Sequence, residues 1–175
     1  MKVLRVSFLE WNSATWRDEL ADAVDDYLLR SREEMSVQEE WLLLNKAMLG
    51  QQDLLFLVGL DDQDHLLGFC LCRALPGTER TGNVCQIWQV YSVPGREKLA
   101  DLFKAAWSII RSWAHSFDAV RFNFWTRRMG KGYKKMLREI GFEPYALMYQ
   151  KVDAPGMTDL MVPPETIKVE EGNQP

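Results

Sequence analysis

Tyr91 and Ser92 lie near the end of the run NVCQIWQVYSV (Asn83 to Val93), and Arg96 and Lys98 follow just beyond Pro94 and Gly95. A strand passing through a Pro-Gly turn into a helix leaves the helix's first N–H groups unpartnered, at the positive end of its dipole. Such a place can hold a phosphate on backbone donors, with basic side chains adding charge. Tyr91, Ser92, Val93, Arg96, Lys98 and Leu99 are therefore candidate anion-binding residues. The plain alternative is that this turn only joins a strand to a helix.

Other chemistries find less support. Cys70-x-Cys72 and Cys85 lack zinc-ligand spacing, and His65 and His115 complete no such pattern, so no metal site is expected. No nucleophile-elbow motif occurs, and the two histidines read as turn-edge and helix-end residues. Arg127, Lys131, Lys134 and Arg138 recur at helical spacing, flanked by Arg128 and Lys135, opposite Met129, Met136, Leu137 and Ile140. This basic face reads first as the wet side of an amphipathic helix. It could also meet cofactor phosphates or an acidic protein, whereas an acidic chain without an RNA-binding motif argues against nucleic acid.

The elements that must position these residues follow from periodicity. Lys2 to Phe8 alternates as a strand, and Asn12 and Ser13 read as caps before a helix with Trp16, Leu20, Val24, Tyr27 and Leu28 on one side. The capping box Ser36 to Glu39 opens a second helix with stripe Val37, Trp41, Leu44 and Met48, and Gly50 can end it. Apolar runs on either side of Asp61 to Asp64 predict a hairpin, and Asn83 to Val93 adds a third meandering strand. A long helix from Arg96 carries Leu99, Phe103, Ala106, Ile110 and Trp113; Ala119 to Trp125 is a short strand, followed by a last helix ending at Gly141 and a final strand.

The 175 residues, 47% hydrophobic and 26% charged, suit one soluble domain. No apolar stretch is long enough to cross a bilayer, and an odd number of cysteines in apolar runs suggests buried thiols in the cytoplasm. Net charge is −4 but uneven: ten acids and three bases from Glu10 to Glu40, against twelve bases and five acids from Arg96 to Lys151. Residues 153–175, with four prolines and no periodicity, read as an extended or disordered tail after a domain over residues 1–152.

The element order resembles the GNAT superfamily of acyl-CoA-dependent N-acyltransferases over residues 1–152. FLVGLDDQDHLLGF resembles its hairpin, QVYSVPGREK its fourth strand and cofactor loop, and LREIGFEPYALMYQK its closing helix, Gly-Phe turn and last strand. The resemblance implies an α/β (α+β) fold with a mixed, mainly antiparallel sheet flanked by helices. It also implies acetyl-CoA or a related acyl-CoA as cofactor and a small-molecule or peptide amine as acceptor.

Counted from Arg96, Leu99 and Asp101 replace the family loop's small residues, and Asp101 would repel a pyrophosphate. Leu137 stands where a tyrosine acid is common, and Gly130 where an asparagine is common. No carboxylate occurs from Asn83 to Pro94 to serve as base; Gln86, Gln89, Tyr91 and Ser92 are the polar choices, and Tyr133 falls on an apolar helix side. No catalytic residue is assigned. Two functions follow: an N-acyltransferase, or a degenerate domain serving as a structural or adaptor protein through the Arg127–Arg138 face or the tail. Divergent members of this kind look similar to those encoded by tailed bacteriophages.

Overall fold

The strands of the sheet follow one another in space as they do in the chain, in the order β1-β2-β3-β4-β5. The computed structural model describes residues 1–31, 35–78, 82–95, 99–124, 138 and 142. They comprise β1 (Lys2–Arg5), α1 (Phe8–Ser13), α2 (Arg17–Ser31), α3 (Val37–Met48), β2 (Leu54–Leu60), β3 (Leu66–Leu75), β4 (Asn83–Ser92), α4 (Leu99–His115) and β5 (Ala119–Phe124). The first three pairings are antiparallel, and β4–β5 is parallel. This is the mixed, mainly antiparallel α/β architecture expected. The described residues fall in one compact unit, Met1–Glu143. The expected boundary at residue 152, the 153–175 tail, most of the basic helix and the final strand lie outside the described residues.

One local expectation fails. Asn12 and Ser13 cap no helix; Ser13 is the last residue of α1. The cap is Ser7, whose hydroxyl accepts from the Glu10 N–H while the Glu10 carboxylate accepts from the Ser7 N–H. This reciprocal box satisfies helix donors that a continuing strand would instead have used, so β1 stops at Arg5 and Phe8 enters a helix. The same device opens α3, where Ser36 and Glu39 form the box. Its two hydrogen bonds hold the Glu39 carboxyl below the usual range. Gly50, at φ +84°, closes α3: its N–H donates to Ala47 O and that of Gln51 to Lys46 O, as in a Schellman motif.

β2 is buried along its whole length because both faces of the sheet are covered. On one face Leu20, Val24, Tyr27 and Leu44 of α2 and α3 pack on Phe56, Val58, Phe69 and Leu71. On the other, Phe103, Ala106, Ile110 and Trp113 of α4 pack on Leu55, Leu57, Cys72 and Ile87. Each fully buried large apolar side chain contributes roughly 1.5–3 kcal/mol. Phe142 meets Phe103, Trp107 and Phe124 at centroid distances of 6.1, 5.7 and 5.9 Å.

Candidate functional site

The C-terminal half of β4 is the strand segment around which polar groups and an open cleft gather. Leu71 pairs with Gln89 and Cys72 with Ile87, so Trp88 is one residue too many on β4 and forms a bulge. The β4–β5 ladder extends to Ile87 opposite Phe124, and β4 runs on through Trp88–Ser92.

Hydrogen-bond alternation decides which backbone groups of this segment face which way. The Val93 N–H donates to Leu67 O at 2.8 Å. Since Phe69 pairs with Tyr91 and Leu71 with Gln89 in the same register, the N–H groups of Tyr91 and Gln89 also turn toward β3. Val90 and Ser92 therefore turn their N–H groups the other way, to the side of β4 on which β5 lies. Of the predicted stretch Tyr91 to Val93, Ser92 is the residue with an outward donor.

The chain then turns at Pro94 and Gly95. Gly95 has φ +79°, a conformation that a side chain resists, and nothing lies within 4 Å of where a Cβ would be. Leu99 opens α4, and Asp101 lies in its first turn, where a carboxylate suits the helix dipole. Arg96 and Lys98, like Gly130, Tyr133 and Leu137, lie outside the described residues.

Two glycines bring the start of α4 close to the sheet. Gly59 and Gly68 are cross-strand partners. A Cβ on Gly59 would lie 2.4 Å from Leu102 Cδ2, and one on Gly68 would lie 2.2 Å from Tyr91 O. Leu102, in the first turns of α4, fills the space that those side chains would take.

On the α1–α3 face, β4 meets acidic groups from the helices. Tyr91 is buried, and its hydroxyl donates to Asp26 Oδ2. Asp26 also pairs with Arg30 at 2.7 Å, which holds the Arg30 guanidinium above its ordinary pKa. Glu19 ties α2 to the β2–β3 turn, accepting from the Leu66 N–H at 3.1 Å and lying 2.8 Å from His65 Nδ1. Between α2 and the end of β4 opens a cleft of about 280 Å³, with Glu19, Asp22 and Asp26 on one wall and Tyr91, Val93 and Pro94 on the other. Among the described lining residues three carboxylates meet one arginine, so this wall of the cleft is acidic.

Glu40 is a polar residue that the sequence reading missed. It is fully buried on α3, and its Oε2 accepts from Gln89 Nε2 at 2.8 Å. A signal was present: Glu40 shares the inward positions of α3 with Leu44 and Ala47, where a charged residue is out of place. The carboxylate absent from β4 itself is thus supplied beside Gln89 by a helix.

The three thiols lie together on the opposite face, with Cys70 and Cys72 sulfurs 3.7 Å apart, and burial pushes the Cys72 thiol well up. Among the described residues no cluster of histidine, cysteine or carboxylate side chains suits a metal, and no helix is long and apolar enough to cross a membrane.

No protein-family model and no curated protein matches the sequence. Solved structures do match. A "probable acetyltransferase" aligns over 91% of this chain and 99% of its own at 17% identity and a TM-score of 0.65. A ribosomal-protein-alanine N-acetyltransferase from Brucella melitensis biovar Abortus 2308 aligns over 87% and 99%, at 16% identity and 0.60. A predicted acetyltransferase from Clostridium acetobutylicum, with acetyl-CoA, aligns over 86% and 95%, at 12% identity and 0.60. These matches lend no support to a bacteriophage origin. At such identities the likeness is one of fold, and this chain has the fold of those acetyltransferase structures.

Proposed function

We propose that this protein is an N-acyltransferase that moves an acetyl or related acyl group from acetyl-CoA, or another acyl-CoA, to an amine. The observation that carries the reading is the end of β4. Its Val90 and Ser92 N–H groups turn away from β3, and the open Pro94–Gly95 turn leads toward α4. A pantetheine arm needs backbone partners along a strand, which Val90 and Ser92 would supply, and a pyrophosphate needs unpaired donors near a helix start, which the start of α4 would supply. Asp101 opposes an anion there, and Arg96 and Lys98 would offset it. Tyr91, Ser92, Val93, Arg96, Lys98 and Leu99 are the residues that would hold the cofactor.

Acetyl-CoA, when bound, supplies the acyl group as an activated thioester. The chain's own part is to position and polarise. The Ser92 N–H would donate to the carbonyl oxygen as negative charge develops on it, a contribution of about 3–4 kcal/mol where such donors have been removed elsewhere. The carboxylates of Glu19, Asp22 and Asp26 would draw a protonated amine to this end of the strand. The Glu40 carboxylate, buried beside Gln89, would hold that strand segment in place.

The second reading is a domain that has lost catalysis and serves as a structural or adaptor protein. Asp101, at a position where phosphate-binding loops favour small residues, favours it. Calorimetric titration with acetyl-CoA separates the two. Micromolar binding, weakened in an Arg96→Ala, Lys98→Ala double variant, is expected of the acyltransferase; no heat up to millimolar ligand overturns it.

A further inference from the structure

We propose that Leu102, seated over Gly59 and Gly68, is the end wall of an acyl pocket beneath α4 and limits the transferred group to one the size of acetyl. This rests on the acyltransferase reading and names the acyl group that the reading leaves open.

The pocket follows from a row of short residues. Gly59, Gly68 and Ser92 lie side by side across β2, β3 and β4. They alternate with Leu57, Cys70 and Val90, which pack toward α4, so the two glycines present bare backbone to that helix. Leu102 reaches into the gap: a Cβ on Gly59 would lie 2.4 Å from its Cδ2, and one on Gly68 would lie 3.0 Å from its Cδ1. Beside it a cavity of about 20 Å³ stays open, with Leu57, Cys70, Val90, Phe103 and Ala106 in its lining. Space of that order holds about one water molecule or one methyl group. Among the described residues its walls carry no charge, so an apolar occupant suits it.

Location joins this cavity to the acyl donor. Val90, a backbone partner assigned above to the pantetheine arm, lines it directly. Gly68 is the cross-strand partner of Ser92, whose N–H is assigned to the thioester carbonyl. A carbonyl held at Ser92 has the acidic cleft of α2 on one side, where the reading above places the amine. On the other side it has the apolar space under α4, where an acyl chain leaves water. That chain meets Leu102 after about one methyl group. A longer chain would have to displace a buried side chain already resting on both glycines, and a packed interior resists such insertion.

The test is calorimetric titration of the full chain with acetyl-CoA, butyryl-CoA and hexanoyl-CoA. We expect acetyl-CoA to bind about tenfold or more tightly than either longer thioester. In Leu102→Ala, which removes the branched end of the wall, butyryl-CoA should come within about threefold of acetyl-CoA. Leu102→Val takes its place where melting curves show that the alanine variant does not fold, and should narrow the gap part-way. The ratio between thioesters is the readout, because a merely structural role for Leu102 would weaken all of them alike. Equal binding across chain lengths by the unaltered chain, or tighter binding of the longer chains, overturns the proposal while leaving the acyltransferase reading standing. A preference for acetyl-CoA that the folded Leu102 variant leaves intact overturns the assignment of Leu102. No binding of any thioester up to millimolar concentration overturns both readings.

Discussion

The two faces of this sheet are built from the same strands by the same alternation, yet they differ in kind. The α4 face is almost wholly apolar: Leu55, Leu57, Cys72 and Ile87 meet Phe103, Ala106 and Ile110 with three free thiols among them. The α1–α3 face has an equally large apolar cluster but threads polar groups through it, with Glu40 on Gln89, Asp26 on Tyr91, and Arg73 on Trp88 and Gln86. Apolar packing tolerates small changes of volume, whereas a buried polar pair is costly to leave half-satisfied. One face therefore anchors the sheet, and the other holds directed groups in fixed positions near the end of β4.

The comparison can be broken most severely where the faces share a strand. Gly68→Ala would drive a Cβ to within 2.2 Å of Tyr91 O, and backbone cannot yield as a side chain tip can. We expect a loss of about 3 kcal/mol or more in urea unfolding, at or above the upper end of the usual cost of overpacking. A loss under about 1 kcal/mol would mean that β3 and β4 do not need the close approach that Gly68 allows.

A smaller effect sharpens the contrast between the faces. Glu40→Ala on the polar face should cost about 2–3 kcal/mol, because Gln89 Nε2 is left buried without its acceptor. Restoring shape without polarity, as Glu40→Leu with Gln89→Leu, should recover much of that loss. No recovery in a double-mutant cycle of unfolding free energies would show that the pair is not the unit that matters.

The smallest effect belongs to the thiol face. Cys72→Ala should cost about 1 kcal/mol, that of a small buried group. Because burial raises the Cys72 pKa, its reactive thiolate is scarce at neutral pH, and native-state labelling should be slow until the protein unfolds. Fast labelling at pH 7 without denaturant would contradict the burial described here.

Much of the fold could be read along the chain because its signals are local. The Ser36–Glu39 box, Gly50 after α3, and the acidic turn between two apolar runs each act within a few residues and appear where expected. The missed helix α1 shows the limit of periodicity. Lys2 to Phe8 alternates, but Ser7 and Glu10 form a reciprocal cap whose hydrogen bonds outweigh that pattern. The candidate site was less legible. Tyr91 and Ser92 were marked by their place before a turn, whereas their different roles depend on which neighbour takes each N–H. Glu40 is distant from β4 in the chain, and its buried place follows only from packing of α3 on the sheet.

Among the described residues the amino-acid order by itself determined the run of helices and strands apart from α1, the turn at Pro94 and Gly95, and the uneven charge, since these depend on residue type and short-range geometry. Tertiary structure decided which donors of β4 face outward, that Asp26 and Glu40 reach Tyr91 and Gln89, and that Arg73 lies on Trp88. Each of these results from long-range pairing, where a one-residue shift such as the bulge at Trp88 changes which side chains meet.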